Sequence, residues 1–366
     1  KMAGLLDYLD WRGDIPILCD SFNEVDNLVL SQLSYIDFEG IVPGNFKDTP
    51  VTVKQASEIF FDSGLYLERS SVGPMMSEQI LFMLKKIRHI PRFSGMKMTG
   101  YVNHVDRERE TQFAAVTTLM PDGTIYVAFR GTDNNIIGWK EDFNMSFLTC
   151  VPAQEMALSY LKQAAVLPGR IRVGGHSKGG NLAVYASVFS GEEVQRRIVG
   201  VYNNDGPGFM EDTVKGAPFG GFKDRIHTIV PKSSIVGMLL GHGEDYEVVD
   251  SMHSGIFQHD PFSWQVLGPS FIHLDGVTDG SRFADRTLRE WIGAMDVNER
   301  KRFVDGLFEI IDAAECTKLT ELSEDRLGTA IKIAKSWKNF DEDTKKTIQR
   351  TVQLLFQMAR RNLRQR

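Results

Sequence analysis

The chain has few cysteines, no long apolar run and no excess of positive charge. Its three cysteines, Cys19, Cys150 and Cys316, are far apart and show neither metal-ligand spacing nor a disulfide framework, which favours a reducing, cytoplasmic compartment. No run approaches the ~18 apolar residues that a membrane-spanning helix requires. The formal net charge of −6 argues against general affinity for nucleic acid.

The start of the chain also lacks the pattern of a secretory signal. Asp7, Asp10 and Asp14 interrupt the apolar residues there, so the apolar core that a signal peptide requires is missing. Charged residues make up 25% and hydrophobic residues 42% of the 366 residues, a balance typical of a soluble globule with a sizeable core. This length fits one α/β domain with additions.

The stretch from residue 170 to 190 organises the rest of the chain. A β-branched apolar segment leads into Gly-Gly-His-Ser-Lys-Gly-Gly at 174–180, and a segment with helical periodicity follows. This is the pattern of a buried strand, a tight turn and a helix, with Ser177 at the apex of Gly-x-Ser-x-Gly. Such a nucleophile elbow lifts a serine above the edge of a parallel sheet. The sequence therefore predicts that Ser177 is a nucleophile.

A second motif lies upstream, at the end of a strand predicted over 125–130. Phe-Arg-Gly-Thr at 129–132 ends that strand and leads into a loop. Enzymes with a nucleophile elbow place one donor of the oxyanion hole there, and Thr132 is the predicted donor. A simple turn in which Thr132 caps the next helix is the alternative. The backbone N–H of Lys178, the residue after the serine, is the second predicted donor.

Together these motifs are similar to the class 3 lipases. Phe-Arg-Gly-Thr at 129–132, Trp139-x-x-Asp142 and His-Ser-x-Gly-Gly at 176–180 follow one another in the order and at the spacing of that family. The resemblance implies the α/β-hydrolase fold, with a mostly parallel central sheet flanked by helices. It also implies a serine hydrolase that acts on carboxylic, lipid-like esters.

More closely, the chain resembles a set of uncharacterised bacterial lipase-like hydrolases. The shared segments are Phe-Asn-Glu-Val-Asp-Asn at 22–27, Asn-Asp-Gly-Pro-Gly-Phe at 204–209 and Gln-His-Asp-x-Phe-x-Trp at 258–264. The resemblance spans about residues 1–275.

The sequence departs from the class 3 lipase pattern in two places. Lys178 stands where those lipases usually carry leucine, and the strand predicted at 225–230 ends without the usual triad carboxylate. Two roles are open to the ammonium group of Lys178: it extends into solvent, or it favours substrates with an anionic head group.

The acid of the triad should follow the serine in this fold. Residues 198–204 have the pattern of the next parallel strand, and Asp205 stands at its carboxyl end, where functional groups collect in open α/β sheets. Asp205 is therefore the predicted acid, one strand earlier than usual. Capping of a following helix is its alternative role, and Asp245 and Asp250 are the alternative acids.

The catalytic histidine should lie on the loop after the last core strand, predicted over 246–250. His253 and His259 both meet this condition, whereas His227 lies inside a predicted strand. The resemblance favours His259, with His253 as the alternative, and a loop-anchoring role is the alternative for His259 itself.

The flanking segments are predominantly helical. We predict that residues 1–95 form a helical part packed on a hydrolase domain that extends over 1–280, and that 281–366 form a C-terminal extension of about three helices. That extension is interpreted as a packing cap, a surface for homo-oligomers or a module that binds a partner. The arginines at 360–366 suggest peripheral contact with anionic lipid or simple solvation. A glycine-rich segment with exposed-looking aromatics, 206–224, is a candidate lid or core segment.

The sequence thus predicts a serine hydrolase that needs no metal and no organic cofactor. Ser177 attacks an acyl carbonyl of a small-molecule or lipid ester, His259 transfers the proton and Asp205 orients His259. Acyl transfer or peptide hydrolysis by the same triad is one alternative. A non-catalytic scaffold that binds a partner through its C-terminal helices is the other.

Overall fold

The computed structural model describes most of the chain. The described residues are 2–67, 69, 79–106, 108, 111–132, 140–141, 144–145, 150–209, 219, 221–240, 244–313, 337 and 340–363. Several predicted features lie outside them: Trp139 and Asp142 of the lipase-like motif, Cys316, and one of the three helices predicted for the C-terminal extension, around residues 327–334.

A nine-stranded sheet forms the centre of the described structure, in the order β1-β2-β3-β4-β5-β6-β7-β8-β11. Strands β4 to β8 are parallel, whereas β1 to β4 pair antiparallel, as do β8 and β11. β9 and β10 form a separate antiparallel pair. The strands are β1 (Val51–Thr52), β2 (Lys97–Asp106), β3 (Thr111–Leu119), β4 (Ile125–Phe129), β5 (Ile171–His176), β6 (Ile198–Asn204), β7 (Ile226–Pro231), β8 (Tyr246–Val249), β9 (Val266–Leu267), β10 (Ser270–Phe271) and β11 (His273–Leu274).

Helices cover both faces of this sheet. The α-helices are α1 (Leu5–Arg12), α2 (Glu24–Gln32), α3 (Val53–Asp62), α4 (Gln79–Ile87), α5 (Pro152–Ala164), α6 (Lys178–Phe189), α7 (Glu192–Gln195), α8 (Asp279–Gly293), α9 (Val297–Ala313) and α10 (Glu342–Leu363). Short 3-10 segments include Leu33–Tyr35, Val236–Met238 and Gly255–His259. None of the described helices is long and apolar enough to cross a membrane.

Strand β4 shows how two apolar cores arise on the two faces. Successive side chains of a strand point to opposite faces. Tyr126 and Ala128 pack with the N-terminal helices α1 to α4, whereas Ile125, Val127 and Phe129 pack with α5 and α6. Because both faces are covered, all five residues are buried, which is typical of parallel strands in α/β proteins. The predicted α/β-hydrolase fold is confirmed.

The helices α9 and α10 of the C-terminal part each begin with side-chain capping hydrogen bonds. Asp296 and Glu299 exchange side-chain and backbone hydrogen bonds of 3.1 and 2.8 Å, so they form a capping box at the start of α9. Asp341 accepts the N–H of Thr344 at 2.9 Å and begins α10. The indole N–H of Trp291 in α8 donates to the carbonyl oxygen of Thr351 in α10 at 2.8 Å, which joins these two helices.

Two predictions about the sheet's surroundings are wrong. β8 is not the last strand, because β11 pairs with it through His273 and Val249. A two-residue strand carries no periodicity from which it could be recognised. The aromatics expected to be exposed in 206–224 are buried in the core beside α6: Phe209, Phe219 and Phe222.

Candidate active site

Ser177 occupies the tight turn between β5 and α6. Its backbone has φ 57° and ψ −134°, a conformation that non-glycine residues rarely adopt and that costs about 1–3 kcal/mol. Two backbone hydrogen bonds of 2.9 Å hold the turn: the N–H of Ser177 donates to Asn204, and its carbonyl oxygen accepts from Gly180. Ser177 is partly exposed, whereas His176 and Lys178 on either side are buried. The turn therefore presents the serine to solvent.

The glycines around Ser177 are required by close backbone approaches. A Cβ on Gly179 would overlap the carbonyl oxygen of Phe129, at the end of β4, and a Cβ on Gly175 would overlap the backbone of Gly179. Since these neighbours are backbone atoms, they cannot move aside as a flexible side chain could. The Gly-x-Ser-x-Gly spacing thus follows from the packing of β4, β5 and α6.

Asp205 lies directly after β6 and is fully buried. Its Oδ2 accepts a hydrogen bond of 2.7 Å from Nδ1 of His259, and its Oδ1 accepts from the N–H of Gly237 at 3.1 Å and from the hydroxyl of Ser234. Because the carboxylate only accepts, Nδ1 of His259 carries a proton and Nε2 is left as the basic nitrogen. The structure therefore brings two of the predicted triad members, Asp205 and His259, together.

The alternative acids have other partners. Asp245 is almost completely exposed and lies 3.3 Å from the ammonium group of Lys223. Asp250 pairs with Lys232 at 2.5 Å and accepts the N–H of Ser251. Ser234 and Gly237, at the start of the apolar run 235–240, supply the two other donors to Asp205.

The alternative histidines are also engaged elsewhere. His253 is exposed and its Nδ1 lies 3.2 Å from the carbonyl oxygen of Phe257. His227 lies within β7 and stacks on Tyr202 with a ring-centroid distance of 5.1 Å. Of the histidines weighed, His259 is the one that the structure brings to Asp205.

The two predicted oxyanion donors flank Ser177. β4 and β5 pair in register at Phe129 and Gly175, so the chain that leaves β4 passes beside the elbow. A Cβ built on Gly131 would lie 2.9 Å from the Cβ of Ser177, and Thr132, the next residue, is buried. Lys178 is the first residue of α6, and a helix N-terminus stabilises negative charge. The residue before Thr132 and the first residue of α6 thus both lie beside Ser177.

Both roles expected for the Lys178 side chain are wrong. Lys178 is 1% exposed, its Nζ lies 2.8 Å from Oε2 of Glu141, and it donates to the carbonyl oxygen of Gln112 at 3.0 Å. An ammonium group held in this way points neither into solvent nor to a substrate head group. No motif around Glu141 in the sequence indicates that its carboxylate pairs with Lys178.

Comparison with known proteins supports a family assignment. A family model described as Mbeg1-like matches residues 87–309, more than half of the chain. This chain belongs to the Mbeg1-like family. The matched region contains Ser177, Asp205, His259 and both predicted oxyanion donors.

A solved structure titled "Crystal structure of M37 lipase" is similar to this chain. The identity is 15% and the TM-score is 0.35, over 58% of this chain and 68% of that one. No protein with a curated description matches.

A buried carboxylate organises the start of α6 in this Mbeg1-like chain. Oε2 of Glu141 accepts from Lys178 and from the N–H of Gln112 at 3.1 Å, and Oε1 accepts the N–H of Ala153 at 3.0 Å. Glu141 therefore joins β3, the first turn of α5 and the residue after the elbow serine. Sequence analysis missed it because its partners are distant in the chain.

We expect Glu141→Gln to lower the free energy of unfolding by about 3–5 kcal/mol, because it leaves a buried ammonium group without its counter-charge. Urea unfolding measures this loss. The double variant Glu141→Gln/Lys178→Met should recover much of it, since the unpaired charge is then gone. A matched control is Glu192→Gln, which breaks an exposed ion pair with Arg196 and should change stability little. A double variant as unstable as the single one would contradict this account.

His176, the residue before the elbow serine, is fully buried. Its Nε2 lies 2.8 Å from the carbonyl oxygen of His259, and the two rings lie 4.5 Å apart. Burial, followed by the nearby charge of His259, lowers the pKa of His176 well below its usual value of 6.5. His176 is therefore neutral in the folded protein at physiological pH.

The lowered pKa of His176 predicts a pH dependence of stability. Below pH ~6.5 the unfolded chain binds a proton at this histidine and the folded chain does not, so the unfolding free energy falls as pH decreases. The expected slope is at most about 1.4 kcal/mol per pH unit from this residue. Urea unfolding of the wild type and His176→Asn between pH 5 and 7.5 measures it. The wild type should lose more stability at low pH; parallel curves would show that another group titrates.

The N-terminal motif at 22–27 reaches the ends of the central strands. Asn27 donates to the side-chain oxygen of Asn204 at 2.8 Å, and its own oxygen accepts from the hydroxyl of Tyr126 at 2.7 Å. Asn204 also donates to the carbonyl oxygen of Gly175 at 2.9 Å. Asn27 of α2 is thus joined to Asn204, directly before Asp205, and through Asn204 to Gly175, two residues before Ser177.

One group of potential metal ligands occurs among the described residues: Glu24, Glu247 and His273. His273 faces Glu24 with Nε2 at 2.8 Å and Glu247 with Nδ1 at 3.3 Å. One ligand atom of each of the three residues lies within 4.8 Å of the others, although the ring nitrogen that faces Glu24 is not the one that faces Glu247. The arrangement fits ion pairs that hold β11 in place.

Proposed function

We propose that this protein is a serine hydrolase that cleaves carboxylic esters. The observation that carries the proposal is the hydrogen bond of 2.7 Å between Asp205 and His259, made by a buried carboxylate at the end of the strand next to the elbow of Ser177. A carboxylate that fixes one imidazole nitrogen leaves the other to accept the proton of a nucleophile. Membership of the Mbeg1-like family and an α/β-hydrolase scaffold are compatible with this chemistry.

The mechanism assigns one role to each group. The Oγ of Ser177 attacks the acyl carbonyl while Nε2 of His259 takes its proton, and Asp205 stabilises the imidazolium that forms. The backbone N–H groups of Thr132 and Lys178 bind the oxyanion, each worth about 3 kcal/mol when well aligned. His259 then donates the proton to the leaving alcohol, and water hydrolyses the acyl-enzyme by the reverse sequence of transfers.

We propose a substrate with an apolar acyl group. Phe257, two residues before His259, is 74% exposed, and Met252 is 38% exposed on the same connection after β8. Apolar side chains exposed beside a catalytic histidine favour contact with a hydrocarbon chain. The similarity to class 3 lipases suggests the same class of substrate.

A fluorophosphonate probe tests the proposal because it reacts covalently with activated serines. The wild type should be labelled and Ser177→Ala should not, while a panel of p-nitrophenyl esters of increasing chain length reports the acyl preference. A folded wild type that is not labelled would reject the hydrolase in favour of the non-catalytic scaffold.

A further inference from the structure

We propose that Tyr35 is a positioning residue for this reaction and acts through His176. The inference rests on the proposed function and adds to it a residue from the N-terminal helical part of the chain. Tyr35 is the last residue of the 3-10 turn Leu33–Tyr35 that follows α2, and it is 6% exposed.

The hydroxyl of Tyr35 lies where three pieces of the site meet. It accepts the N–H of Gly131 at 3.1 Å, next to the predicted oxyanion donor Thr132. It also lies 3.2 Å from both Nδ1 and the carbonyl oxygen of His176, directly before Ser177. One hydroxyl therefore holds the end of β4 and the end of β5 at a set separation.

The contact between the other ring nitrogen of His176, Nε2, and the carbonyl oxygen of His259 fixes the role of Nδ1 in these hydrogen bonds. Nε2 of His176 faces the carbonyl oxygen of His259, which can only accept, so Nε2 carries the proton. In the neutral ring Nδ1 is then an acceptor, so the one proton of the Tyr35 hydroxyl faces two acceptors of His176, Nδ1 and the carbonyl oxygen, both at 3.2 Å. The low pKa of His176 keeps the ring neutral across the physiological range, and the carbonyl oxygen of His259 selects the tautomer.

Tyr35 is connected to the proposed catalytic histidine, His259, through a series of contacts, and Tyr35 itself does not contact the substrate in this proposal. Tyr35 contacts His176, His176 holds the backbone of His259, and the side chain of His259 is fixed by Asp205. A shift of a fraction of an ångström in such a set lowers the rate of the chemical step more than it weakens substrate binding. Tyr35 should therefore influence kcat and leave KM unchanged.

The test is Tyr35→Phe, which removes the hydroxyl and retains the ring. We expect kcat for an ester and the rate of fluorophosphonate labelling each to fall about tenfold, with KM unchanged. Tyr160→Phe is the matched control: Tyr160 is equally buried, and its hydroxyl bonds to Gly100 at 2.7 Å and to Thr117 at 2.9 Å on the other face of the sheet. It should lower thermal stability and leave kcat within about twofold of the wild type.

A double-mutant cycle measures the coupling between two residues in kcat, a quantity that a loss of stability alone would not change. Tyr35→Phe and His176→Asn should together reduce kcat by less than the product of their separate effects, because they interrupt one chain. Additive effects, or a Tyr35→Phe variant with the kcat of the wild type, would overturn the inference and leave the hydrolase intact. A folded wild type that is not labelled would overturn both.

Discussion

Replacement of Ser177 by alanine is expected to lower kcat for ester hydrolysis by at least about 10⁴-fold. Without the hydroxyl there is no nucleophile for the acyl-enzyme, and the remaining groups can only bind substrate and polarise its carbonyl. Alanine keeps the Cβ and so the same backbone strain at φ 57°, which means that the fold should be retained. Steady-state hydrolysis of the best ester in the panel measures the effect.

Ser187→Ala is the matched control for this loss. Ser187 is a buried serine of the same helix α6, and its hydroxyl donates to the carbonyl oxygen of Ala183 at 2.7 Å. Its removal should leave kcat near the wild-type value. Residual hydrolysis by Ser177→Ala within tenfold of the wild type would show that another group is the nucleophile.

Asp205→Asn is expected to lower kcat by about 10⁴-fold, the second largest effect. Asparagine presents an N–H₂ group or a weaker acceptor to Nδ1 of His259, so the proton that Asp205 holds on Nδ1 can move to Nε2. A protonated Nε2 cannot take the proton of Ser177, and triads that lose their buried aspartate in this way lose a similar factor. Initial rates with the same ester give the comparison.

The alternative acids supply the controls for Asp205. Asp245→Asn and Asp250→Asn should keep kcat, since these carboxylates pair with Lys223 and Lys232. If Asp250→Asn lost activity and Asp205→Asn retained it, the assignment of the acid would be wrong. Urea unfolding of all three variants separates a change in chemistry from a loss of folded protein.

Local sequence predicted the elements that present the site. β6 was expected over 198–204 and has those bounds, and the strand, turn and helix around Ser177 are where the glycines indicated. Such features depend on neighbours in the chain: apolar periodicity within an element, and glycine where two backbones meet. The position of Asp205 at a strand end followed from the same local reasoning.

Contacts between distant segments were not predictable in this way. Lys178 and Glu141 are buried together although 37 positions separate them, and Tyr35 meets His176 across 141 positions. From the sequence alone, a lysine that follows an elbow serine is predicted to be solvated when no acidic partner lies near it in the chain. The energy of a buried charge depends on which partner the fold places beside it, and that is a property of packing.

The sequence alone determined the class of fold and the turn that carries Ser177, because glycine spacing and apolar period are local constraints on the backbone. It narrowed the acid and the histidine to a few candidates at strand ends. Tertiary structure joined one pair of these candidates, Asp205 and His259, and it alone revealed the contacts of Glu141, His176 and Tyr35. The physical reason is that a hydrogen bond needs two groups within about 3 Å, and for distant residues only the folded chain sets that distance.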